Sequence, residues 1–249
     1  MAQLNAELGN RSAAIQQLER VIFFGEGKYD AKAFEMLGQL LLQNSSFAEA
    51  ADAFNQAAAL AESDSAHNQL KLLQASALIR SGKPQLASIE LLGMQVPQGD
   101  SAFSKQQFLL GITQFTAGNF GESRASFRNA AADTNAKRRI DSLFDELSRI
   151  KHPNAKTARL LSIVFPGAGQ FYAGDVKNGI NSMLLTGGFV ALGYFVATRY
   201  SLLDATVAVI PWIQRYYMGG FKRAGLIAEE RLQEKQDKIY RRVLKEISF

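Results

Sequence analysis

With 249 residues, 47% of them hydrophobic and only five of them proline, the chain has the composition of one or two well-packed, mostly helical domains. The absence of cysteine and the presence of only two, widely separated histidines disfavour disulfides and metal sites, so we predict no metal and no other cofactor. The basic excess behind the net charge of +5 falls entirely in residues 151–249, beside the longest uncharged stretches, which indicates lipid headgroups and not nucleic acid as the partner.

Residues 1–135 contain an internal repeat with a spacing of 36 or 37 residues. In the second helix of each repeat a small residue is followed four positions later by a large one, a pattern that lets two antiparallel helices approach each other closely. These pairs are Ala14 and Leu18, Ala50 and Phe54, Ala87 and Leu91, and Ser123 and Phe127, and the stripe continues with Val21, Ala57, Met94 and Ala130. Gly9, Gly82 and Gly118 are predicted to end first helices, because glycine tolerates the left-handed conformation found there.

The second repeat carries the fullest set of characteristic positions, at Phe34, Leu37, Gly38, Leu41, Ala50, Phe54 and Ala57. In these residues the region resembles the tetratricopeptide-repeat family, and the resemblance implies an all-α helical solenoid of four repeats. Extending the register places Met1 inside the first helix of the first repeat, so we expect that this repeat is truncated and that an upstream segment belongs to a longer protein. Residues 136–151 are predicted to form an amphipathic helix that caps the solenoid, followed by a linker at 152–159.

In tetratricopeptide arrays the first helices of the repeats line a concave groove, and we predict that this groove binds a peptide or helix of another protein. The predicted groove residues are Glu35, Gln39, Gln69, Arg80, Lys105, Phe108, Ile112 and Phe115. The last three form an apolar patch near the fourth repeat, and two interpretations of this patch stay open. It contacts the partner, or it packs against the capping helix.

Residues 160–221 are predicted to form a membrane domain with two spanning helices. The segment 178–198 carries no charge and is long enough to cross a bilayer core, and 202–218 follows it as a second apolar helix that Pro211 should kink. Aromatic side chains near the end of this second helix are typical of a membrane interface, at Trp212, Tyr216 and Tyr217. The alternative is a pair of buried helices in a soluble protein, which the repeat array leaves without neighbours to surround them.

The preceding segment, 160–174, is uncharged but too short to span a bilayer, and it is predicted to enter the membrane and turn back. Its PGxGQxYxG motif consists of Pro166, Gly167, Gly169, Gln170, Tyr172 and Gly174, followed by Gly179. In this motif the segment resembles small bacterial membrane domains that are similar to the two-transmembrane domain family. The resemblance implies a bacterial envelope protein in which an exported repeat array is joined to a membrane module.

Two ionisable residues lie within the predicted second spanning helix, one near each end. Asp204 lies near the turn between the helices and Arg215 near the opposite interface, about 16 Å away at 1.5 Å per residue, so we expect each to contact headgroups separately. Residues 222–249 are predicted to form a basic amphipathic helix that lies on the membrane or pairs with a partner helix. A solvated continuation of the second membrane helix is the alternative.

No nucleophile is paired with a base along the chain, so we predict a non-enzymatic, membrane-anchored adaptor that binds another envelope protein through its repeats. The alternative is a membrane-active module that assists membrane-protein insertion, transport or lipid handling, with the repeats in a regulatory role. We predict a location in the bacterial inner membrane with the array in the periplasm, although the basic residues around the hairpin also allow a cytoplasmic array. The sequence predicts no oligomeric state.

Overall fold

The structure, a computed structural model, describes residues 11–24 and 30–247. Within these residues it contains twelve helices and no strand, which confirms the predicted all-α class. The predictions that concern Met1 and Gly9 lie outside the described residues. Contacts divide the chain into two compact units, unit I (Met1–Phe144 with Val243–Phe249) and unit II (Asp145–Arg242).

Eight helices come before residue 150, and four follow. The first eight are α1 (Arg11–Phe24), α2 (Asp30–Gln43), α3 (Phe47–Ala59), α4 (Asp64–Arg80), α5 (Pro84–Gly93), α6 (Ser101–Thr116), α7 (Phe120–Ala130) and α8 (Thr134–Ser148). The last four are α9 (Ala155–Val164), α10 (Ala168–Tyr172), α11 (Val176–Arg199) and α12 (Leu202–Lys245).

In unit I, helices that follow one another in sequence pack against each other from α1 to α7, and α4 also contacts α6. Turns of three residues join α2 to α3, α4 to α5 and α6 to α7, so the two helices of each pair run in opposite directions. The small and large positions of the sequence repeat are all buried, at Ala14, Leu18, Ala50, Phe54, Ala87, Leu91, Ser123 and Phe127. Val21 departs from the predicted stripe, because it is exposed while Ile22 packs on the core instead.

The three short turns share one backbone conformation. Gly82 and Gly118 follow α4 and α6 with positive φ angles of 77° and 80°, as predicted for residues that end first helices. Ser45 holds the equivalent position after α2 with a φ of 63°. In each turn the next residue donates its N–H to a carbonyl of the last helical turn at 2.9 Å, as Ser46 does to Leu41. The three-residue turn therefore imposes the left-handed conformation on this position, whether or not the residue is glycine.

Replacing Ser45 with glycine is expected to stabilise unit I by about 0.5–1 kcal/mol. The strain of a side chain in the left-handed region destabilises the folded state by more than the greater conformational entropy of glycine stabilises the unfolded chain. Denaturant unfolding followed by helical circular dichroism measures the change. Gly82→Ser is the matched control, and it should destabilise by a similar amount. A loss of stability in Ser45→Gly would contradict this account of the turn.

Two phenylalanine rings fill the core of unit I directly above glycines on the neighbouring helix. A Cβ added to Gly38 would lie 2.7 Å from Cε1 of Phe54, and one added to Gly111 would lie 2.6 Å from Cδ1 of Phe127. Both rings are fully buried. The glycines are therefore required by close packing and not by backbone conformation.

Helix α8 adds its apolar face to the end of unit I. Ile140 and Phe144 are buried, and the Phe144 ring centroid lies 6.2 Å from that of Phe115 and 6.3 Å from that of Phe127. Asp141 accepts hydrogen bonds from Arg124 Nε at 2.7 Å and pairs with Arg128 Nη1 at 2.8 Å, which fixes the polar side of the contact. These interactions lie where the sequence predicts a cap.

Unit II contains one helix, among the described residues, that is long and apolar enough to cross a membrane. This helix is α11, with a mean hydropathy of 1.5 over its most apolar stretch, of which no part is buried. The predicted second span, 202–218, forms the first part of α12, a continuous 44-residue helix that contains Pro211 and runs on to Lys245. Residues 222–245 therefore continue the same helix, which is the alternative that the sequence left open.

Candidate functional site

Glycines of the PGxGQxYxG motif bring three helices of unit II into close contact. Gly167, with a φ of 94°, begins α10, and a Cβ added to it would lie 2.4 Å from the carbonyl oxygen of Gly179 on α11. Gly169 is closer still, since its added Cβ would lie 1.9 Å from the carbonyl oxygen of Ala158 on α9. No larger side chain fits at either position without backbone movement.

Gln170, only 1% exposed, connects three helices through hydrogen bonds. Its Oε1 accepts from Ser162 Oγ at 2.9 Å, and its Nε2 donates to the carbonyl oxygen of Gly220 at 2.9 Å. Ser162 Oγ in turn accepts from the backbone N–H of Gly169 at 3.0 Å. Because both polar ends of the Gln170 side chain and the Ser162 hydroxyl have partners, the network holds α9, α10 and α12 in one arrangement.

The remaining motif residues shape the entry into α11. Tyr172 accepts a hydrogen bond at its hydroxyl from the N–H of Asn154 at 3.3 Å, and Gly174 ends α10 with a φ of 80°. Asp175 then caps α11, and hydrogen bonds from the side-chain amide and the backbone N–H of Asn178 lower the pKa of its carboxyl, assisted by the charges of Arg223 and Arg231. This carboxylate therefore stays ionised at neutral pH.

Helix α9 is also fixed to α12 further from the motif. Arg159 Nη2 pairs with Glu229 Oε1 at 2.8 Å, and the arginine side chain crosses directly over Gly225. The Tyr217 hydroxyl donates to the carbonyl oxygen of Ile163. Ala158, Ala173, Ala224, Ile227 and Ala228 form the small apolar core between these contacts. The motif thus serves as the packing centre of unit II.

A cleft of about 490 Å³ opens beside this centre, between α11 and α12. Basic side chains, amides and two hydroxyl groups line it together with apolar groups: Gln170, Asn178, Asn181, Ser182, Leu185, Arg215, Tyr216, Lys222, Arg223 and Leu226. Within the part of the chain that the structure describes, no carboxylate forms an ion pair with Arg215, Lys222 or Arg223. The cleft therefore carries a net positive charge, which the nearby Asp175 carboxylate offsets only in part through its interaction with Arg223.

The sequence predicts Arg215 as an isolated anchor and does not predict this cleft. A signal was present in the spacing, because Arg215 and Lys222 are seven residues apart and so lie on the same side of α12. The contribution of Asn181 and Ser182 had no comparable signal, since it depends on how α11 packs beside α12.

A second cleft, of about 390 Å³, lies in unit I between α4 and α6. It brings together three of the predicted groove residues, Gln69, Lys105 and Phe108. Its other lining residues are Leu72, Leu73, Ser76 and Leu109. The cleft can therefore accept an apolar side chain between polar groups at its rim.

The other predicted groove residues lie outside this cleft. Glu35 accepts hydrogen bonds from Gln39 Nε2 at 3.2 Å and from Lys32, and Arg80 stacks its guanidinium 4.2 Å above the Phe47 ring. Ile112 is half-buried. Phe115 is buried, with its ring centroid 5.1 Å from that of Phe120, in addition to its contact with the capping helix. For Phe115 the structure favours the packing interpretation over an exposed groove position.

Comparison with known proteins gives no relative: no protein-family model, no curated protein and no solved structure matches the chain.

Proposed function

We propose that this chain is a membrane-anchored adaptor, in which a tetratricopeptide-like solenoid binds a segment of another envelope protein while unit II fixes it in a bacterial inner membrane. The observation that carries the proposal is the cleft between α4 and α6, which combines an apolar floor with polar rim groups. The array would face the periplasm, as the resemblance to exported repeat proteins implies, and residues 160–174 would form a re-entrant element.

The chemistry of the α4–α6 cleft supports a peptide as its occupant. Leu72, Phe108 and Leu109 offer an apolar surface on which one or two side chains of a partner can be buried. The ammonium group of Lys105, which is exposed, suits a carboxylate beside the buried side chain, and the amide of Gln69 suits a backbone group. The partner segment is therefore amphipathic, with an acidic group next to an apolar anchor.

Helix α11 supports the membrane anchor. Its 24 residues extend about 36 Å, enough to cross a hydrocarbon core of about 30 Å. Large apolar side chains along it are exposed, among them Leu184, Val190 and Phe195. A core helix of a soluble protein would bury such side chains, so their exposure favours lipid as the surrounding medium.

Photo-crosslinking in cells tests the adaptor function. A photoreactive amino acid at Gln69, inside the cleft, is expected to form a discrete adduct with one partner protein, while the same amino acid at Gln56, exposed on α3 and outside the cleft, forms none. Adding Lys105→Glu should reduce the Gln69 adduct about tenfold, because an attractive charge contact becomes repulsive. Equal adducts from both positions, or an adduct insensitive to Lys105→Glu, would count against the proposal.

A membrane-active module is the second candidate function, and the basic cleft of unit II favours it. Under this candidate, neutralising that cleft abolishes the cellular function, whereas Lys105→Glu leaves it intact. The adaptor proposal expects the opposite dependence on Lys105. Gln170 does not discriminate between the two, because its buried hydrogen bonds give it a structural role under both.

A further inference from the structure

The α11–α12 cleft presents donors suited to a phosphate group. Arg215 and Arg223 can each donate two parallel N–H bonds to phosphate oxygens, and Lys222 adds a point charge. Asn181 and Ser182 add neutral donors, whereas the side-chain amide of Asn178 already donates to Asp175 at 2.6 Å. Three cations that form no ion pair among the described residues surround one cavity, with the Asp175 carboxylate near Arg223 as partial compensation, and this excess of positive charge favours an anionic ligand.

The apolar lining identifies what kind of molecule carries this phosphate. Leu185, Tyr216 and Leu226 form the wall of the cleft beside the cations, and Leu185 lies on α11, whose exposed side chains are mostly apolar. A free phosphate ion gains no contact from such an apolar wall, because it has no apolar group to pack against it. A phospholipid uses both parts, because its acyl chains can follow the surface of α11 while its headgroup meets the cations.

The position of the cations along α12 agrees with this orientation. Between Leu202 and Gln214 the only charged residue is Asp204, whereas Arg215 is followed by Lys222 and Arg223. Two turns of helix, about 10 Å, separate Arg215 from Lys222. Arg215 therefore stands at the border of the apolar segment and the other two cations stand beyond it, as side chains that reach from a hydrocarbon region to headgroups do.

From this geometry we infer that the cleft between α11 and α12 is a binding site for the headgroup of an anionic phospholipid. The inference rests on the proposed membrane anchoring of unit II. It adds a lipid-specific site to what would otherwise be a nonspecific anchor.

Native mass spectrometry of the full chain in detergent micelles, titrated with phosphatidylglycerol or phosphatidylcholine, tests the site. Wild-type protein is expected to retain phosphatidylglycerol preferentially. The triple variant Arg215→Gln, Lys222→Gln and Arg223→Gln should bind it about 100-fold more weakly and Arg223→Gln alone about fivefold more weakly, with phosphatidylcholine binding unchanged. Lys238→Gln, Arg241→Gln and Lys245→Gln form the matched control, since they remove the same charge from exposed positions elsewhere on α12 and should leave the affinity unchanged.

Equal retention of the two lipids, or full affinity in the triple variant, would overturn the headgroup site. Displacement of phosphatidylglycerol by inorganic phosphate at an equal concentration would overturn the assignment to a lipid and indicate a free-phosphate site. Resistance of the wild-type protein to alkaline carbonate extraction from membranes is measured in parallel. If extraction resistance persists without lipid selectivity, the anchor stands and this inference fails; if the protein is extracted, the membrane anchor fails.

Discussion

Gly169→Ala is expected to lower the melting temperature of unit II, so that the variant unfolds at temperatures at which the wild-type unit stays folded. The added methyl group would lie 1.9 Å from the carbonyl oxygen of Ala158 and 2.4 Å from Ser162 Oγ, so α9 and α10 must separate. Separation also breaks the hydrogen bond from Gly169 N–H to Ser162 and loosens the bonds of Gln170. Overpacking against a backbone atom that cannot rotate away should cost about 3 kcal/mol or more.

Trp212, the only tryptophan, makes this loss measurable in unit II alone. Its ring stacks with those of Phe189 and Tyr216 at centroid distances of 6.2 and 6.3 Å, so its fluorescence reports on the packing of α11 against α12. Thermal unfolding of the detergent-solubilised protein, followed at this tryptophan, should show a large decrease in melting temperature.

Gly187→Ala is the matched control for Gly169→Ala. Gly187 lies within α11, and an added Cβ there would have no atom within 4 Å other than those of the adjacent residues and the local helix backbone, so its substitution should preserve or slightly increase stability. If Gly169→Ala melted together with wild type, the close approach of α9 and α10 would not be required for folding.

Gly111→Ala is expected to destabilise unit I by about 2–3 kcal/mol. The new methyl group would lie 2.6 to 2.8 Å from three carbons of the Phe127 ring, and because this ring is fully buried, any shift of it must displace neighbouring core side chains. Native-state hydrogen exchange of the α6 amides, measured by mass spectrometry, reports the loss within the intact chain. Gly121→Ala is the control, because an added Cβ there meets nothing within 4 Å.

The third repeat suggests a second substitution that would restore part of the stability lost in Gly111→Ala. Gly38 and Phe54 are sixteen residues apart, as are Gly111 and Phe127, and the equivalent residues between them are Ala75 and Leu91, both fully buried. In this repeat Ala75 stands where the other two have glycine, and Leu91 stands where they have phenylalanine. The side chains at the two positions are therefore complementary in size.

Phe127→Leu should therefore partly rescue Gly111→Ala, with a coupling free energy of about 1 kcal/mol or more in a double-mutant cycle. Additive losses in the cycle would show that the two positions do not share the space. The same hydrogen-exchange measurement reports both single variants and the double variant.

The helices of unit I and the burial of its repeat positions could be predicted from the sequence because they depend on local patterns. A small residue four positions before a large one specifies both the helix period and the packing face, as Ala50 and Phe54 illustrate. Ser45 could not be predicted as a left-handed residue, because its conformation is imposed by the turn and its residue type does not indicate it. The shift from Val21 to Ile22 likewise depends on the rotation of one helix against its neighbour.

Unit II was less predictable because its contacts join residues that are far apart in sequence. Hydropathy identifies α11, but α12 has no boundary between its apolar and charged parts, since Gly219 and Gly220 are tolerated within the helix. The role of Gln170 depends on the carbonyl oxygen of Gly220, fifty residues later, which no local pattern reveals. The α11–α12 cleft follows from the same long-range packing.

The contacts of Gln170 and Arg159 also set an order of events during synthesis. Helices α1 to α7 each pack against the next in sequence, so they can acquire their neighbours while later residues are still being translated. Unit II cannot complete its packing until later, because its contacts join residues far apart in sequence. Gln170 bonds to Gly220, and Arg159 bonds to Glu229, which lies seventy residues downstream of it. A chain arrested before Gly220 would thus expose the motif helices without their partners, and cellular proteases would encounter them in this unpaired state.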